Sequence, residues 1–327
     1  MDSSAAPLTL REVIDTVERT HPKLEAARQG VEVADAKTLA ARGGFDPMVL
    51  LRGKWTPVGY YPQGQVDASV RQATPLWGAE LFAGYRLGWG SYPIYKGDQE
   101  TLSRGELRAG IKVPLWNGGP IDSRRAKLAK AKLGQRGAGQ RRDATQLEIE
   151  RQAAVAYWDW VAAGHQMNIA KDLLGIAEDR NRQLNELVAA GSLERIKLVD
   201  NRRLVLERSS KLISAQRKFR EATLKLSLYT RDNDNKPIQM ELGRLPEFPE
   251  PLGVDAAIEL EIDNALATRP DILALQAEQR AKAVEVRLAR NKRAPKIDVQ
   301  TFVSRDLGDG PAELRPTEWG AGMVVAI

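Results

Sequence analysis

The sequence predicts a mainly α protein of long, coiled-coil-like helices with a β segment set between them, in an arrangement that begins a second time further along the chain. Three observations lead there. Leu198, Val205, Leu212, Phe219 and Leu226 recur every seven residues, which keeps one helix seam facing a partner. Between Gly43 and Arg125, apolar residues alternate with polar ones at the two-residue period of a half-buried strand. Segments around Pro22 and Pro47 recur around Pro270 and Pro295 at a common offset of 248 residues.

Leu8 to Arg42 reads as helix with a break at Thr20-His21-Pro22. Leu10, Val13, Ile14 and Val17 form one apolar face, and Leu24, Ala27, Val31, Ala34 and Leu39 continue at helical spacing. Gly43-Gly44 and Pro47 stop it. The β segment follows, with strands expected near 48–60, 66–74, 79–90 and 104–115. Leu81, Ala83, Tyr85, Leu87 and Trp89 share a face against Glu80, Arg86 and Gly88. Leu107, Ala109, Ile111 and Val113 do the same against Glu106, Arg108 and Lys112. Turns are marked by Tyr61-Pro62-Gln63-Gly64, Pro75-Leu76-Trp77-Gly78 and Lys96-Gly97-Asp98. Trp55, Tyr60, Tyr61, Trp77, Tyr85, Trp89, Tyr92, Tyr95 and Trp116 crowd the segment. The hairpin at about 62–100 is expected to reach beyond the two outer strands.

Helix is expected again from about Ile121 to Ala190; if continuous it would be on the order of 100 Å long at 1.5 Å per residue. Gly134, Gly137, Gly139, Gly164 and Gly175 mark close contacts or bends. Gly191-Ser192 is read as the turn, with Gly191 as C-cap and Ser192 as N-cap of the returning helix, about 193–229. Val199, Leu206 and Ile213 lie beside its heptad seam, and Ala170, Leu173, Ala177, Leu184 and Leu187 give the preceding helix a matching stripe. Arg231 to Pro237 ends this hairpin, and 237–254 is Pro-rich and irregular. Helix resumes near Asp255, and Ile297, Val299, Thr301 and Val303 alternate as a strand. The domain reading is a first repeat over 1–230, a linker over 231–254 and an incomplete second repeat over 255–327. Judged against the first copy, the second is expected to lack on the order of a hundred residues.

Composition narrows the chemistry. The 327 residues suffice for two ordinary domains or one elongated one. Few aromatics and many charges suit long solvated helices. With no cysteine, disulfides, thiolate metal sites, a cysteine nucleophile and a lipid-modified N-terminal cysteine are excluded within these 327 residues. The net charge is +6, but Arg124-Arg125, Arg141-Arg142, Arg202-Arg203 and Arg290 to Arg293 are scattered among acids on helix faces. They read as solvated surface, and no nucleic-acid partner is expected. No run nears the roughly 20 apolar residues of a membrane helix, whereas a membrane β-strand needs only about 9–11. The start, Met1-Asp2-Ser3-Ser4-Ala5-Ala6-Pro7, reads as a mature or truncated start without a signal peptide. No P-loop, dinucleotide fingerprint or zinc spacing is present. His21 and His165 read as surface or seam residues, and Asp159, Glu148 and Glu150 as solvated carboxylates. Neither an enzyme nor a cofactor is expected.

Several runs together resemble the TolC-type outer membrane factor family, the exit ducts of tripartite efflux pumps and type I secretion. They are Pro22-Lys23-Leu24 and Pro270-Asp271-Ile272, the strand entries at Pro47 and Pro295, Val113-Pro114-Leu115-Trp116-Asn117-Gly118-Gly119, and Ala156-Tyr157-Trp158-Asp159-Trp160-Val161. The resemblance implies a homotrimer whose strands form one shared transmembrane β-barrel and whose helices form a periplasmic α-barrel. It implies passive conduction, an outer-membrane location, and partners in a periplasmic adaptor and an inner-membrane transporter. It makes Pro114, Gly118 and Gly119 the strand-to-helix turn, and Trp55, Tyr60, Trp89, Trp116 and Trp319 the aromatics at the lipid boundary. Gly191, Ser192, Arg195, Asp200 and Arg203 become adaptor-contact candidates at the tip. Only the strands near 48–60 and 104–115 are then expected to cross the bilayer. The rival reading is a periplasmic coiled-coil adaptor or structural protein without a pore; it would split a lipoyl-like or small β-barrel domain around its helical hairpin.

Overall fold

A computed structural model describes residues 6–93, 100–232, 234–248, 258–314 and 316–326. Tyr95, the Lys96-Gly97-Asp98 turn, the chain start through Ala5, Asn233, the latter part of the Pro-rich linker, the helix start at Asp255 and Ile327 lie outside the described residues. The elements are α1 (Leu10–Thr20), α2 (Pro22–Arg42), β1 (Met48–Thr56), β2 (Gln63–Ala73), β3 (Glu80–Gly90), β4 (Glu106–Pro114), α3 (Ser123–Ala189), α4 (Arg195–Leu226), α5 (Ile258–Thr268), α6 (Pro270–Lys292), β5 (Lys296–Asp306) and β6 (Glu318–Ala326). α6 and β5 start at 270 and 296, each 248 residues after α2 and β1. The chain divides into two units: Met1–Gly30 with Arg141–Pro270, and Val31–Gln140 with Asp271–Ile327.

The first unit is helical and built around a dry core. Thr9 caps α1 by accepting from the Glu12 N–H at 3.2 Å. Pro22, which lacks an N–H, opens α2 where none is needed. Val13 and Val17 of α1, Leu24 of α2, Tyr157, Trp160 and Val161 of α3, and Ala222 and Leu226 of α4 are all buried in one cluster. The Tyr157 hydroxyl donates to the Leu8 carbonyl at 2.9 Å, so the one polar atom of that ring is satisfied inside the core. Trp160 stands 6.2 Å from Phe219, centroid to centroid.

Within this unit α3 and α4 run antiparallel. Leu198 and Leu226 of the heptad are buried and Val205, Leu212 and Phe219 half-buried, whereas Val199, Leu206 and Ile213 are exposed. The seam is therefore the heptad column, and the apolar column beside it faces away. α3 continues through all five glycines that marked possible bends. A Cβ at Gly164 would meet the Leu245 side chain at 2.6 Å, making that one a close contact; Gly134, Gly139 and Gly175 have nothing within 4 Å.

The second unit joins small-residue helix packing to a sheet. Thr38, Ala41, Ala126, Ala138, Ala274 and Ala277 are its buried helical side chains. Its six strands form one antiparallel sheet in sequence order, β1 to β6. This alters the sequence reading of the hairpin. β2 and β3 do not extend beyond two adjoining outer strands. They lie between β1 and β4, paired from Met48↔Arg71 to Thr56↔Gln63 on one side and from Glu80↔Lys112 to Arg86↔Glu106 on the other. β2 also starts at Gln63, so Gln63 and Gly64 belong to the ladder and not to the preceding turn.

Candidate functional site

The sheet has two unlike faces, and register defines them. Arg52 pairs with Asp67, Asp67 with Arg86, Arg86 with Glu106, and Glu106 with Asp306, so five charged residues form one row across five strands. Lys54, Arg71, Glu80, Arg108, Lys112, Asp298 and Glu318 share that face by the two-residue period. The opposite face carries Val49, Leu51 and Trp55 of β1, Val66 and Val70 of β2, Leu81, Tyr85 and Trp89 of β3, Leu107 and Ile111 of β4, and Trp319, Met323 and Val325 of β6.

Burial runs opposite to that of a water-soluble protein. Val49 is 73% and Leu51 74% exposed. The side chains of Arg86 and Glu106 are only 15% and 9% exposed. Arg86 lies 3.6 Å from both Asp67 and Glu106, and Lys112 lies 2.9 Å from the buried Asp298. Paired charges on the enclosed side and uncovered aliphatics on the other suit a sheet with water on its polar face and hydrocarbon on its apolar one. The strands are 9 or 11 residues long, the length that crosses a bilayer when tilted. No helix among the described residues is long and apolar enough to cross a membrane.

The predicted boundary aromatics are all solvent-exposed: Trp55, Tyr60, Trp89, Trp116 and Trp319. Trp55 and Trp89 flank Gly64 in one cross-strand row. The Trp89 ring lies where a Gly64 side chain would be, and on the polar face Phe302 covers Gly320 in the same way.

The predicted strand-to-helix turn is a hydrogen-bonded unit. Pro114 ends β4 opposite Asp298. Gly118 takes φ +104, which disfavours a side chain. Asp122 caps α3 by accepting from the Arg125 N–H at 2.9 Å. The Arg125 guanidinium donates back to the carbonyls of Gly118 and Gly119 at 2.6 and 2.7 Å. Leu115 N–H donates to the Ile297 carbonyl at 2.7 Å, and Asn291 donates to the Ile121 carbonyl at 2.8 Å. Arg125, read from sequence as solvated surface, is instead a bonded part of the turn, its side chain only 19% exposed; the available signal was its spacing of three from a capping aspartate.

At the far turn, Gly191 adopts φ +71. Its N–H bonds to the Val188 carbonyl at 3.1 Å and that of Ser192 to the Leu187 carbonyl at 2.9 Å, the paired pattern that closes a helix on glycine. Ser192 is not the N-cap of α4. That position falls to Glu194, which makes no side-chain capping bond, because two more residues are needed to reverse the chain. Ser192, Arg195, Asp200 and Arg203 are exposed. A residue not foreseen here is Asn201, 5% exposed in the seam. It donates to the Ala177 carbonyl and to Asn181 Oδ1, both at 3.2 Å. A polar residue three positions after a seam leucine was its available signal.

His21 Nδ1 accepts from the Lys23 N–H at 3.3 Å and its ring stacks on Tyr229, while His165 bonds the Pro246 carbonyl at 2.9 Å. Burial, then the nearby charges of Arg231 and Lys23, push the His21 pKa below its ordinary value. Among the described residues, no group of three histidine, aspartate or glutamate side chains could hold a metal.

This is the TolC-like fold shared by solved outer-membrane channels. The Campylobacter jejuni CmeC outer membrane channel superposes with a TM-score of 0.54 at 16% identity, over 97% of this chain and 61% of that one. The open state of the Neisseria gonorrhoeae MtrE outer membrane channel gives 0.56 at 18% identity, over 97% of this chain and 63% of that one. The outer membrane protein VceC from Vibrio cholerae gives 0.57 at 14% identity, over 97% and 68%. The chain thus spans about three fifths of the length of CmeC and MtrE. No protein-family model and no curated protein matches it.

Proposed function

We propose that this chain is the outer-membrane channel component of an export machine, a tripartite efflux pump or a type I secretion system. In this reading three copies pool their strands into one barrel and their helices into a periplasmic duct. Solutes cross passively, driven by an inner-membrane transporter coupled through an adaptor at the Gly191–Ser192 tip.

The observation that carries the reading is the inverted sheet, with charges enclosed and aliphatics uncovered, on a fold matched along nearly the whole chain by outer-membrane channels. Among the described residues, β1 and β6 each pair on one side only. Strand edges without partners are untenable in lipid, so closure calls for further strands. The rival reading, a pore-free periplasmic adaptor, leaves the uncovered apolar face without a solvent that suits it.

The test is membrane fractionation of cells expressing the full-length protein, followed by cross-linking. A trimer extracted from the outer membrane only by detergent is the expected outcome. Recovery as a soluble monomer at native expression would overturn it.

A further inference from the structure

On the enclosed face of the sheet, cations outnumber carboxylates at one place. A cavity of about 230 Å3 opens on it, lined by five basic side chains, Arg52, Arg71, Arg86, Arg108 and Lys112, against three acidic ones, Asp67, Glu80 and Glu106. Those acids are already engaged: Asp67 and Glu106 by Arg86, and Glu80 by Arg71 at 3.9 Å and Arg124 at 3.5 Å. Lys112 is held by Asp298.

Arg108 is different. Its row neighbours are Gly84 and Ser304, and the next carboxylate along that row is Glu318, beyond Ser304. It has no ion pair within 4.0 Å among the described residues, and its Nε is buried without a hydrogen-bond partner. The guanidinium lies over the Phe302 ring, 4.3 Å from its centroid. The ring holds the cation in place, and no carboxylate among the described residues takes up its charge.

We infer that Arg108, held by Phe302 and backed by the surplus positive charge of the cavity, is a binding subsite for small oxyanions, the phosphate or carboxylate groups of solutes on the enclosed face. A planar guanidinium offers two parallel N–H donors to such a group, and a partly desolvated cation is the stronger for it. The inference rests on the proposed channel, because it takes the polar face as the lining of a water-filled passage.

The probe is inorganic pyrophosphate, titrated calorimetrically into the 327-residue chain in detergent. Arg108→Gln should weaken binding at least about tenfold, whereas Arg220→Gln, on the exposed surface of α4, should leave it unchanged. Arg108→Lys keeps the charge without the fork; partial retention there, with unchanged circular dichroism in every variant, separates loss of the site from loss of the fold. Pyrophosphate that binds no variant, or binds Arg108→Gln as well as the parent, overturns the inference. Reversal potentials of full-length protein in planar bilayers under a KCl gradient test the channel separately. A pore that conducts without a pyrophosphate site removes the inference and leaves the channel. A chain that binds pyrophosphate through Arg108 yet never conducts removes the channel and leaves the subsite.

Discussion

The two units answer the hydrophobic effect in opposite ways. Around Trp160 the helices bring aromatic and aliphatic side chains together until they are sealed from solvent. In the sheet, Val49, Leu51 and Leu107 are turned outward and the charged row is sheltered. Amphipathic patterning specifies two faces in both cases. Which face is enclosed depends on the solvent that the other must meet.

The largest effect expected is on the dry core. Trp160→Ala should cost about 3–5 kcal/mol of stability, read by thermal or urea denaturation, since it empties a fully buried ring site. A change below about 1 kcal/mol would mean that this core relaxes, and would narrow the contrast between the units. Next is Leu107→Arg on the exposed sheet face. In water it should be almost silent, but unfolding from lipid bilayers should show a loss of about 2–4 kcal/mol. Equal effects in both media would break the comparison.

A smaller loss is expected from Gly191→Ala, about 1 kcal/mol, because φ +71 crowds a Cβ against its own backbone. The smallest concerns pH. With the His21 pKa held below its ordinary 6.5 by burial first and then by Arg231 and Lys23, the unfolded chain takes up the proton more readily. Its contribution is intact above pH 6.5 and is lost as pH falls from there through the folded value. His21→Gln should flatten that slope, changing Tm by no more than about 2 °C. A steeper slope in the variant would reverse the assignment.

The heptad from Leu198 to Leu226 was legible because a seven-residue repeat has a physical counterpart in one seam. The alternation at 81–89 and 107–113 was legible for the same reason. Strand order was not. Periodicity reports which residues share a face and says nothing of which strand lies alongside, so β2 and β3 read as a projection when they are interior. Nor does it say which face is sheltered; that needs the lateral pairing of Asp67, Arg86 and Glu106, which are 19 and 20 residues apart. Asn201 went unremarked and Arg125 was read as solvated surface because each acts on main-chain carbonyls, which leave no mark on side-chain pattern. The tip candidates Arg195, Asp200 and Arg203 are placed on an exposed helix surface, and their role rests on the proposed function.

The rings that lie across glycines have a consequence for inheritance. Trp89 occupies the space that a side chain at position 64 would need, and Phe302 does so for position 320. A side chain gained at either glycine would have to displace the ring that covers it. Among descendants of this sequence, positions 64 and 89 should change together, as should 302 and 320. Pairs of columns far apart in the chain would then record which strands have remained neighbours.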